Sequence, residues 1–306
     1  MAAFHYNYAV ICRIPNSLGN RSVGSDTYQR GIDVDKARQE YETVREVLKS
    51  LDFNIVELVE DESYPDSCFV DDTVVVIGNT ALIARPGHVS RQGEVGEIRK
   101  VLMSDLHMSV VEIKNPKATL DGGDVLFTGK EIFVGVGKRT NEAGAQAVAE
   151  TFPEYAVSLV NFEKCEALHM KDVFNMAGRN VMAVSPGPDV QAVLRQMQDV
   201  ANYPYQVMQM DTRIAADMLF VNGHLIHHVR NEMGDKSYGI LDEKILWPRH
   251  HIQMTELAKI GGTINSLVIL ITRTRNPKRL ISNIQDEDLG YFTMWKRFPD
   301  SAPILN

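Results

Sequence analysis

At residues 73–84 the chain reads Thr-Val-Val-Val-Ile-Gly-Asn-Thr-Ala-Leu-Ile-Ala, two apolar runs joined by a Gly-Asn pair. Runs rich in β-branched residues favour strands, and Gly and Asn tolerate the positive φ angles that a tight hairpin turn needs. The stretch therefore predicts a β-hairpin. The same pattern recurs at three more turns, namely Gly129-Lys130, Gly178-Arg179 and Asn222-Gly223.

Amphipathic stretches follow most of these hairpins, and a further β-prone run follows each stretch. The apolar spacing predicts helices with one buried stripe at Gly93–Leu106, Asn141–Phe152 and Asp189–Tyr203, with Thr140 as the N-cap of the second. Near the N-terminus, a strand at Tyr8–Arg13, a helix at Asp33–Leu51 and a strand at Asn54–Leu58 fit the same scheme in part.

The repeating unit is hairpin, helix, strand, with a period of roughly 50 residues, which is typical of stacked or ring-arranged units. We expect a single domain at 1–272, in which the apolar run Val268–Thr272 supplies a sealing strand. The remainder, 273–306, is expected to be an exposed and disordered tail.

Bulk composition excludes several classes of protein. The 306 residues carry a net charge of -8, which argues against nucleic acid or an anionic membrane surface as a partner. No apolar run reaches the roughly 18 residues of a membrane span, and the N-terminus lacks a signal-peptide pattern. Three widely spaced cysteines make a poor disulfide framework, so we expect a cytoplasmic protein. We expect it to be a monomer or a homodimer.

Three segments contain side chains suited to chemistry on a flat cation. Asp66, Asp71 and Asp72 form an acidic patch, and carboxylates bind the planar, forked guanidinium group well. Asp121, in the run Asp-Gly-Gly-Asp, would suit a carboxylate that orients His169 for proton transfer. The alternatives remain open, because each segment taken alone also fits an ordinary turn, a solvated loop or a structural histidine.

Two arginines and three histidines complete the candidates. Arg91 and Arg139 follow strands, and each suits bidentate binding of a carboxylate, although the residues alone favour solvated arginines at helix starts. His224, His227 and His228 invite a zinc interpretation, but no cysteine or acid at ligand spacing accompanies them. We therefore expect no metal and no cofactor.

Several unbroken motifs resemble the dimethylarginine dimethylaminohydrolase family over about residues 5–262. They are Cys68-Phe-Val-Asp-Asp72, Ala81-Leu-Ile-Ala-Arg-Pro-Gly87, Ala118-Thr-Leu-Asp-Gly-Gly-Asp-Val-Leu-Phe-Thr-Gly129, Gly137-Lys-Arg-Thr-Asn141 and Leu168-His-Met-Lys171.

The resemblance implies a pentein-type five-fold α/β propeller built from ββαβ units, with the last unit altered. It implies hydrolysis of an Nω-methylated arginine, a small cationic substrate, to citrulline and a methylamine without a cofactor. By position, His169 would be the acid/base, oriented by Asp121. Asp66, Asp71 and Asp72 would bind the guanidinium and amino ends, Arg91 and Arg139 would bind the carboxylate, and Leu18 would belong to a mobile lid.

The resemblance ends at Gly262. The family has a cysteine nucleophile near its C-terminus, whereas the cysteines of this chain are Cys12, Cys68 and Cys165. Without gaps, Ser266 occupies the nucleophile's place. The abrupt change suggests an isoform from an altered transcript. Three interpretations remain open: a family hydrolase, a catalytically silent protein that binds methylarginine or arginine, and an unstable truncated fold.

Overall fold

The computed structural model describes residues 3–21 and 31–273, which build five three-stranded β-sheets. The expected tail lies outside the described residues apart from Arg273, so the division of the chain near residue 272 stays a prediction. Four sheets are continuous in sequence: β3 (Val74–Ile77), β4 (Thr80–Ile83) and β5 (Ser109–Glu112); β6 (Val125–Phe127), β7 (Ile132–Val136) and β8 (Val157–Asn161); β9 (Phe174–Gly178), β10 (Val181–Val184) and β11 (Gln206–Gln209); β12 (Met218–Val221), β13 (His224–His228) and β14 (Arg249–Ile252).

Each of these sheets has the same pairing. An antiparallel hairpin comes first, and the third strand then pairs parallel with the second strand of the hairpin. A parallel pair needs a crossover connection. The three predicted helices supply it in the first three of these sheets, and helices within residues 230–244, which were not predicted from the sequence, supply it in the fourth. The hairpin, helix and strand repeat that the sequence predicts is therefore present in four copies.

The fifth sheet is built from both ends of the described chain. Strand β1 (Tyr8–Cys12) lies at its centre, parallel to β2 (Asn54–Leu58) and antiparallel to β15 (Ile269–Ile271). Tyr8 pairs with Ile271, so the first and last strands of the fold are neighbours. The sealing strand expected at Val268–Thr272 is present, and it completes the fifth unit.

The helices have the bounds α1 (Leu18–Arg21), α2 (Val34–Ser50), α3 (Val95–Lys100), α4 (Glu142–Thr151), α5 (Pro188–Val200), α6 (Arg213–Ala216), α7 (Arg230–Met233), α8 (Asp235–Lys244) and α9 (Thr255–Ala258). Two expectations need correction. The helix expected at Gly93–Leu106 is α-helical only to Lys100 and continues as a π-helical turn at Val101–Asp105. The N-cap of α4 is Asn141, whose side chain accepts a hydrogen bond from the Gly144 N–H, and not Thr140.

Positive φ angles occur at the hairpin turns that contain Gly or Asn-Gly. Gly78 has φ 62°, Gly129 φ 85°, Asn222 φ 53° and Gly223 φ 80°. Only residues that tolerate this left-handed region fit such turns at low energy. The turn expected at Gly178-Arg179 is shifted by one residue, because Gly178 is still part of β9 and the pairing register changes at Val181.

The helices pack one apolar stripe against the sheets. On α2 the buried stripe is Ala37, Tyr41, Val44 and Leu48, as the sequence pattern predicts. Burial of a side chain of the size of Leu48 stabilises the fold by about 1.5–3 kcal/mol. Within residues 3–21 and 31–273, no helix is long and apolar enough to cross a membrane.

Candidate active site

Short 3₁₀ turns precede the first strand of several units, and these turns contact one another. The turns are Val70–Thr73, Gly122–Asp124, Met170–Asp172 and Asn265–Leu267. The first contacts the second and the fourth, and the second contacts the third. The repeat therefore brings the equivalent positions of different units together, although they are far apart in sequence.

His169 lies at the centre of this cluster, immediately before its 3₁₀ turn. Its Nε2 is 2.9 Å from Oδ2 of Asp121 and 3.6 Å from Oδ1 of Asp72. The other oxygen of Asp121 accepts a hydrogen bond of 2.7 Å from the Gly87 N–H, which fixes the carboxylate plane. The imidazole therefore contacts two buried carboxylates, in an arrangement suited to holding and transferring a proton.

The electrostatics of the cluster favour a protonated imidazole. Burial alone would lower the pKa of His169, but Asp72, Asp121 and Asp124 together raise that pKa to about 10. Burial opposes ionisation of Asp72, but His169 and Arg91 lower the pKa of this carboxyl to about 2. At neutral pH the site therefore contains an imidazolium and the Asp72 carboxylate.

A cavity of about 40 Å³ lies beside His169. Seven of the nine predicted site residues line it: Asp66, Asp72, Arg91, Asp121, Arg139, His169 and Ser266. Main-chain segments around Ile260 and Gly261 form part of the wall. The volume has room for a few water molecules. An amino acid the size of arginine therefore needs the walls to move before it can enter.

Arg91 does not fit the role that the resemblance implies for it. Its guanidinium is buried and forms an ion pair of 2.5 Å with Asp72 and one of 2.8 Å with Glu94. It also donates to the backbone carbonyls of Asp66 and Phe69. These four partners engage all three nitrogens of the guanidinium, so its main interactions are within the protein. Arg139 is half-buried and lines the cavity.

Asp71 and Leu18 lie away from the cavity. The Asp71 carboxylate forms an ion pair of 2.5 Å with Lys171, and both residues line a second cavity of about 120 Å³. Asp71 is therefore not placed to bind a ligand beside His169. Leu18 begins α1, is completely buried and packs in an apolar cluster with residues of α2, so the structure places it in the core.

Ser266 reaches the cavity from the 3₁₀ turn Asn265–Leu267. Its Oγ donates a hydrogen bond of 2.7 Å to the carbonyl of Thr263 and accepts one of 2.9 Å from the Thr263 N–H. The hydroxyl is thus bound within its own turn. All three cysteines are unpaired and buried, and burial raises the pKa of Cys68 well above the ordinary value of a thiol.

Sequence reasoning missed several residues next to the site. Glu94 pairs with Arg91, and Asp124 and Thr140 bind each other beneath the Asp121–His169 pair. Asp124 stood in the quoted Asp-Gly-Gly-Asp run, and Thr140 stood next to Arg139, so both were within the recognised motifs. No local signal distinguishes them, because their partners come from other units.

The histidines of β13 also require a correction. No acid was expected to accompany them, yet His228 lies 2.7 Å from Asp217 and 2.9 Å from Glu232. Burial would lower the pKa of His228, but these two carboxylates raise it to about 9. His224 contacts His250 on the neighbouring strand, with 3.0 Å between Nδ1 and Nε2.

Among the described residues, one group has three donors arranged as metal ligands could be. Donor atoms of Asp72, Asp121 and His169 lie within 4.8 Å of one another. Hydrogen bonds from Gly123, Arg91 and His169 already engage these carboxylates. A proton on His169 therefore balances their charge, and the absence of a resident metal stays a prediction.

Several known proteins are similar to this chain in sequence. A family model described as "N,N dimethylarginine dimethylhydrolase, eukaryotic" matches residues 19–203. The "Putative hydrolase DDAH2" of Bos taurus is 34% identical over 281 residues, which cover 88% of this chain and 96% of that protein. The N(G),N(G)-dimethylarginine dimethylaminohydrolase of Streptomyces coelicolor is 37% identical over 140 residues, which cover 46% of this chain and 54% of that protein.

A solved structure shows the same fold. It is a cysteine-to-serine mutant of the Pseudomonas aeruginosa enzyme DDAH complexed with citrulline. The TM-score is 0.73 at 23% identity, and the match covers 87% of this chain and 100% of the other. The five-fold α/β propeller of ββαβ-type units that the resemblance implies is therefore confirmed.

Proposed function

Because the chain belongs to the dimethylarginine dimethylaminohydrolase family, we propose that its cavity binds an Nω-methylated arginine and that hydrolysis to citrulline and a methylamine is slowed by several orders of magnitude. The observation that carries this proposal is the position of Ser266, which faces the His169 cavity with its hydroxyl bound to Thr263. We assign His169 and Asp121 as the acid/base pair, whereas Ser266, at the nucleophile's place, is a poor nucleophile.

Binding is supported by the charges that line the cavity. Asp66, Asp72 and Asp121 supply carboxylate oxygens, which suit the N–H groups of a guanidinium. Arg139 supplies a guanidinium for the ligand's α-carboxylate, while Arg91 serves to hold Asp72 in place. The mutant relative complexed with citrulline retains a ligand although a cysteine has been replaced by serine.

The protonation state of His169 suits the chemistry of the family. In that chemistry a thiolate attacks the guanidinium carbon, and the imidazolium gives its proton to the departing methylamine. The imidazole then takes a proton from the water that releases citrulline. A pKa of His169 near 10 keeps the proton on the ring at neutral pH, ready for the first of these steps.

The same imidazolium makes Ser266 a poor nucleophile. A serine hydroxyl must lose its proton to a neighbouring base, but His169 already holds a proton, and the hydroxyl donates to the Thr263 carbonyl. A thiol in this place would ionise readily beside the imidazolium. Loss of a nucleophile lowers turnover by roughly 10⁶-fold in a well-studied hydrolase.

Replacement of Ser266 by cysteine tests the proposal directly. We expect Ser266→Cys to release citrulline from an Nω-methylated arginine at least about 10³-fold faster than the unmodified chain, because a thiolate needs no general base. Ser266→Ala should match the unmodified chain. Isothermal calorimetry should detect methylarginine binding to all three proteins.

Two results would contradict parts of the proposal. Rapid citrulline release by the unmodified chain, abolished in Ser266→Ala, would show that the serine is an effective nucleophile. Absence of ligand binding in all three proteins would remove the proposed substrate class. We further propose a cytoplasmic location, because the three free cysteines suit a reducing compartment.

A further inference from the structure

We propose that Asp124 and Thr140 are positioning residues that hold Asp121 and His169 at hydrogen-bonding distance from each other. The inference rests on the proposed function for the role of the Asp121–His169 pair. The geometry that supports it does not depend on any ligand.

Thr140 links the main chain of Asp121 to Asp124. Its Oγ1 accepts a hydrogen bond of 3.0 Å from the Asp121 N–H and donates one of 2.7 Å to Oδ2 of Asp124. A threonine hydroxyl has one proton and two lone pairs, so it can perform both functions at once. The hydroxyl direction is thereby fixed, and with it the backbone from which the Asp121 carboxylate extends.

Asp124 links this assembly to the residue after His169. Its Oδ1 accepts a hydrogen bond of 3.1 Å from the Met170 N–H. The Asp121 carboxylate in turn binds His169 Nε2 at 2.9 Å. The five groups therefore form a closed ring of bonds that runs from the Asp121 backbone through Thr140, Asp124 and the Met170 backbone to His169, and back to Asp121.

Burial makes each bond in the ring hard to replace. Asp124 is 1% exposed and Thr140 is 0% exposed, so bulk water does not reach either side chain. A buried donor or acceptor that loses its partner retains the full desolvation penalty. Removal of the Thr140 hydroxyl would leave both the Asp121 N–H and Oδ2 of Asp124 without their present partners.

The ring also affects the charge on His169. The carboxylates Asp72, Asp121 and Asp124 all favour the proton on this imidazole. Asp71, which is paired with Lys171, also interacts with it electrostatically. Burial raises the pKa of Asp124 to about 7, and the neighbouring His169 acts in the opposite direction. The hydrogen bonds from Thr140 and Met170 lower the pKa of Asp124. Thr140 therefore favours the ionised form of this carboxyl, and the ionised carboxylate in turn favours the imidazolium of His169.

The test is to measure the protonation of His169 by NMR in ligand-free protein with labelled histidine, with His169→Gln to assign the signal. In the unmodified chain we expect a titration midpoint near 10. We expect Asp124→Asn to lower that midpoint by at least about one unit, the effect of losing a nearby opposite charge. Thr140→Val should also lower the titration midpoint, and Thr140→Ser should keep the midpoint of the unmodified chain.

Thr128→Val is the matched control. Thr128 is also fully buried, and its hydroxyl bonds to the Glu131 main chain and to Tyr205, at a distance from the site. A purely structural role for Thr140 predicts that both valine variants lower the thermal midpoint while neither moves the His169 titration. Our proposal predicts that only Thr140→Val moves it.

If Asp124→Asn does not fold, the valine and serine variants at Thr140 still decide the question. An unchanged His169 midpoint in folded Thr140→Val would overturn the proposal. Since the titration is measured without ligand, it can succeed while methylarginine binding fails, or the reverse. Failure of this inference is therefore distinguishable from failure of the proposed function.

Discussion

Two arginines that look alike in sequence have different environments in the folded chain. Arg91 and Arg139 both follow strands, and the resemblance implies one role for both. The Arg91 guanidinium is instead surrounded by Asp72, Glu94 and two carbonyls. Burial acts to lower its pKa, but Glu94 and Asp72 raise it well above the ordinary value, so it stays charged. Arg91 is part of the framework, whereas Arg139 lines the cavity and is the arginine that we propose for a ligand carboxylate.

Alanine variants of the two arginines should therefore affect different properties, one the stability and the other the ligand binding. We expect Arg91→Ala to lower the free energy of unfolding by about 3–5 kcal/mol, because it leaves Asp72 and Glu94 buried without their cation. Arg139→Ala should leave stability nearly unchanged and weaken methylarginine binding at least about tenfold, since a charged bidentate contact is lost. Urea unfolding and calorimetry measure the two effects. Equal destabilisation by both variants would contradict this division of roles.

The sequence predicted the residues that line the cavity better than the residues that form hydrogen bonds and ion pairs with buried histidines. Asp66, Asp72, Asp121, Arg139 and His169 belong to short motifs, and all of them line one cavity. The acids that flank His228 are Asp217, before β12, and Glu232, in α7. Nothing in the local sequence identifies them as partners, because the contact depends on how β13 turns its side chains within a complete unit.

At the scale of elements, the repeat explains why the candidate residues are spaced by about one or two units. Asp72, Asp121, His169 and Ser266 each lie in or next to the 3₁₀ turn before the first strand of a unit. Positions that are equivalent in each repeat come close together when the units are arranged in a ring. The site is therefore a property of the arrangement, and its side chains come from several different units.

Close packing of these turns predicts a strong effect of a single methyl group. A Cβ at Gly122 would overlap the carbonyl oxygens of Asp71 and Val74, which are backbone atoms and cannot move aside easily. We expect Gly122→Ala to destabilise the fold by about 1–3 kcal/mol or more. Thermal unfolding followed by circular dichroism measures the effect.

Gly96 is the control for this substitution. A Cβ there meets no atom within 4 Å, and the residue lies inside α3. We expect Gly96→Ala to stabilise the protein by about 0.5–1 kcal/mol, because alanine favours a helix interior. A harmless Gly122→Ala would show that the turns are packed less closely than the structure indicates.

Elements with a local cause were the easiest to predict. The hairpin turns at Gly78, Gly129 and Asn222-Gly223 were predictable because positive φ angles select their residues. The extent of α3 was not, because its apolar stripe continues through Leu106 whereas its main chain changes to π-helical pairing at Val101. An apolar pattern reports which face is buried, and it does not report how the carbonyls are paired.

For the whole molecule, the buried histidines predict that stability falls in alkaline solution. In the folded state the pKa is about 10 for His169 and about 9 for His228, whereas unfolded histidine has a value of about 6.5. A raised pKa gives stability that is complete below the unfolded value and is lost as pH rises through the folded value. The raised pKa of Asp124 acts in the same direction between about 4 and 7.

We therefore expect the free energy of unfolding, measured with urea, to decrease from pH 6 to pH 10. Asp72 acts in the opposite sense, because its pKa of about 2 gives stability that is present above about 4 and lost on strong acidification. His169→Gln should show a smaller alkaline decrease than the unmodified chain. A flat profile between pH 6 and 10 would mean that neither imidazole gains its proton on folding.

The fifth sheet can be completed only late in translation. Strand β1 is translated well before its antiparallel neighbour β15, because all the other described strands lie between them in the sequence. At about 5–20 residues per second the wait is roughly 10–50 s. During that time the hydrophobic flank of Tyr8–Cys12 is open to other nascent strands, so a chaperone that shields this flank should raise the yield of native molecules in cell-free translation.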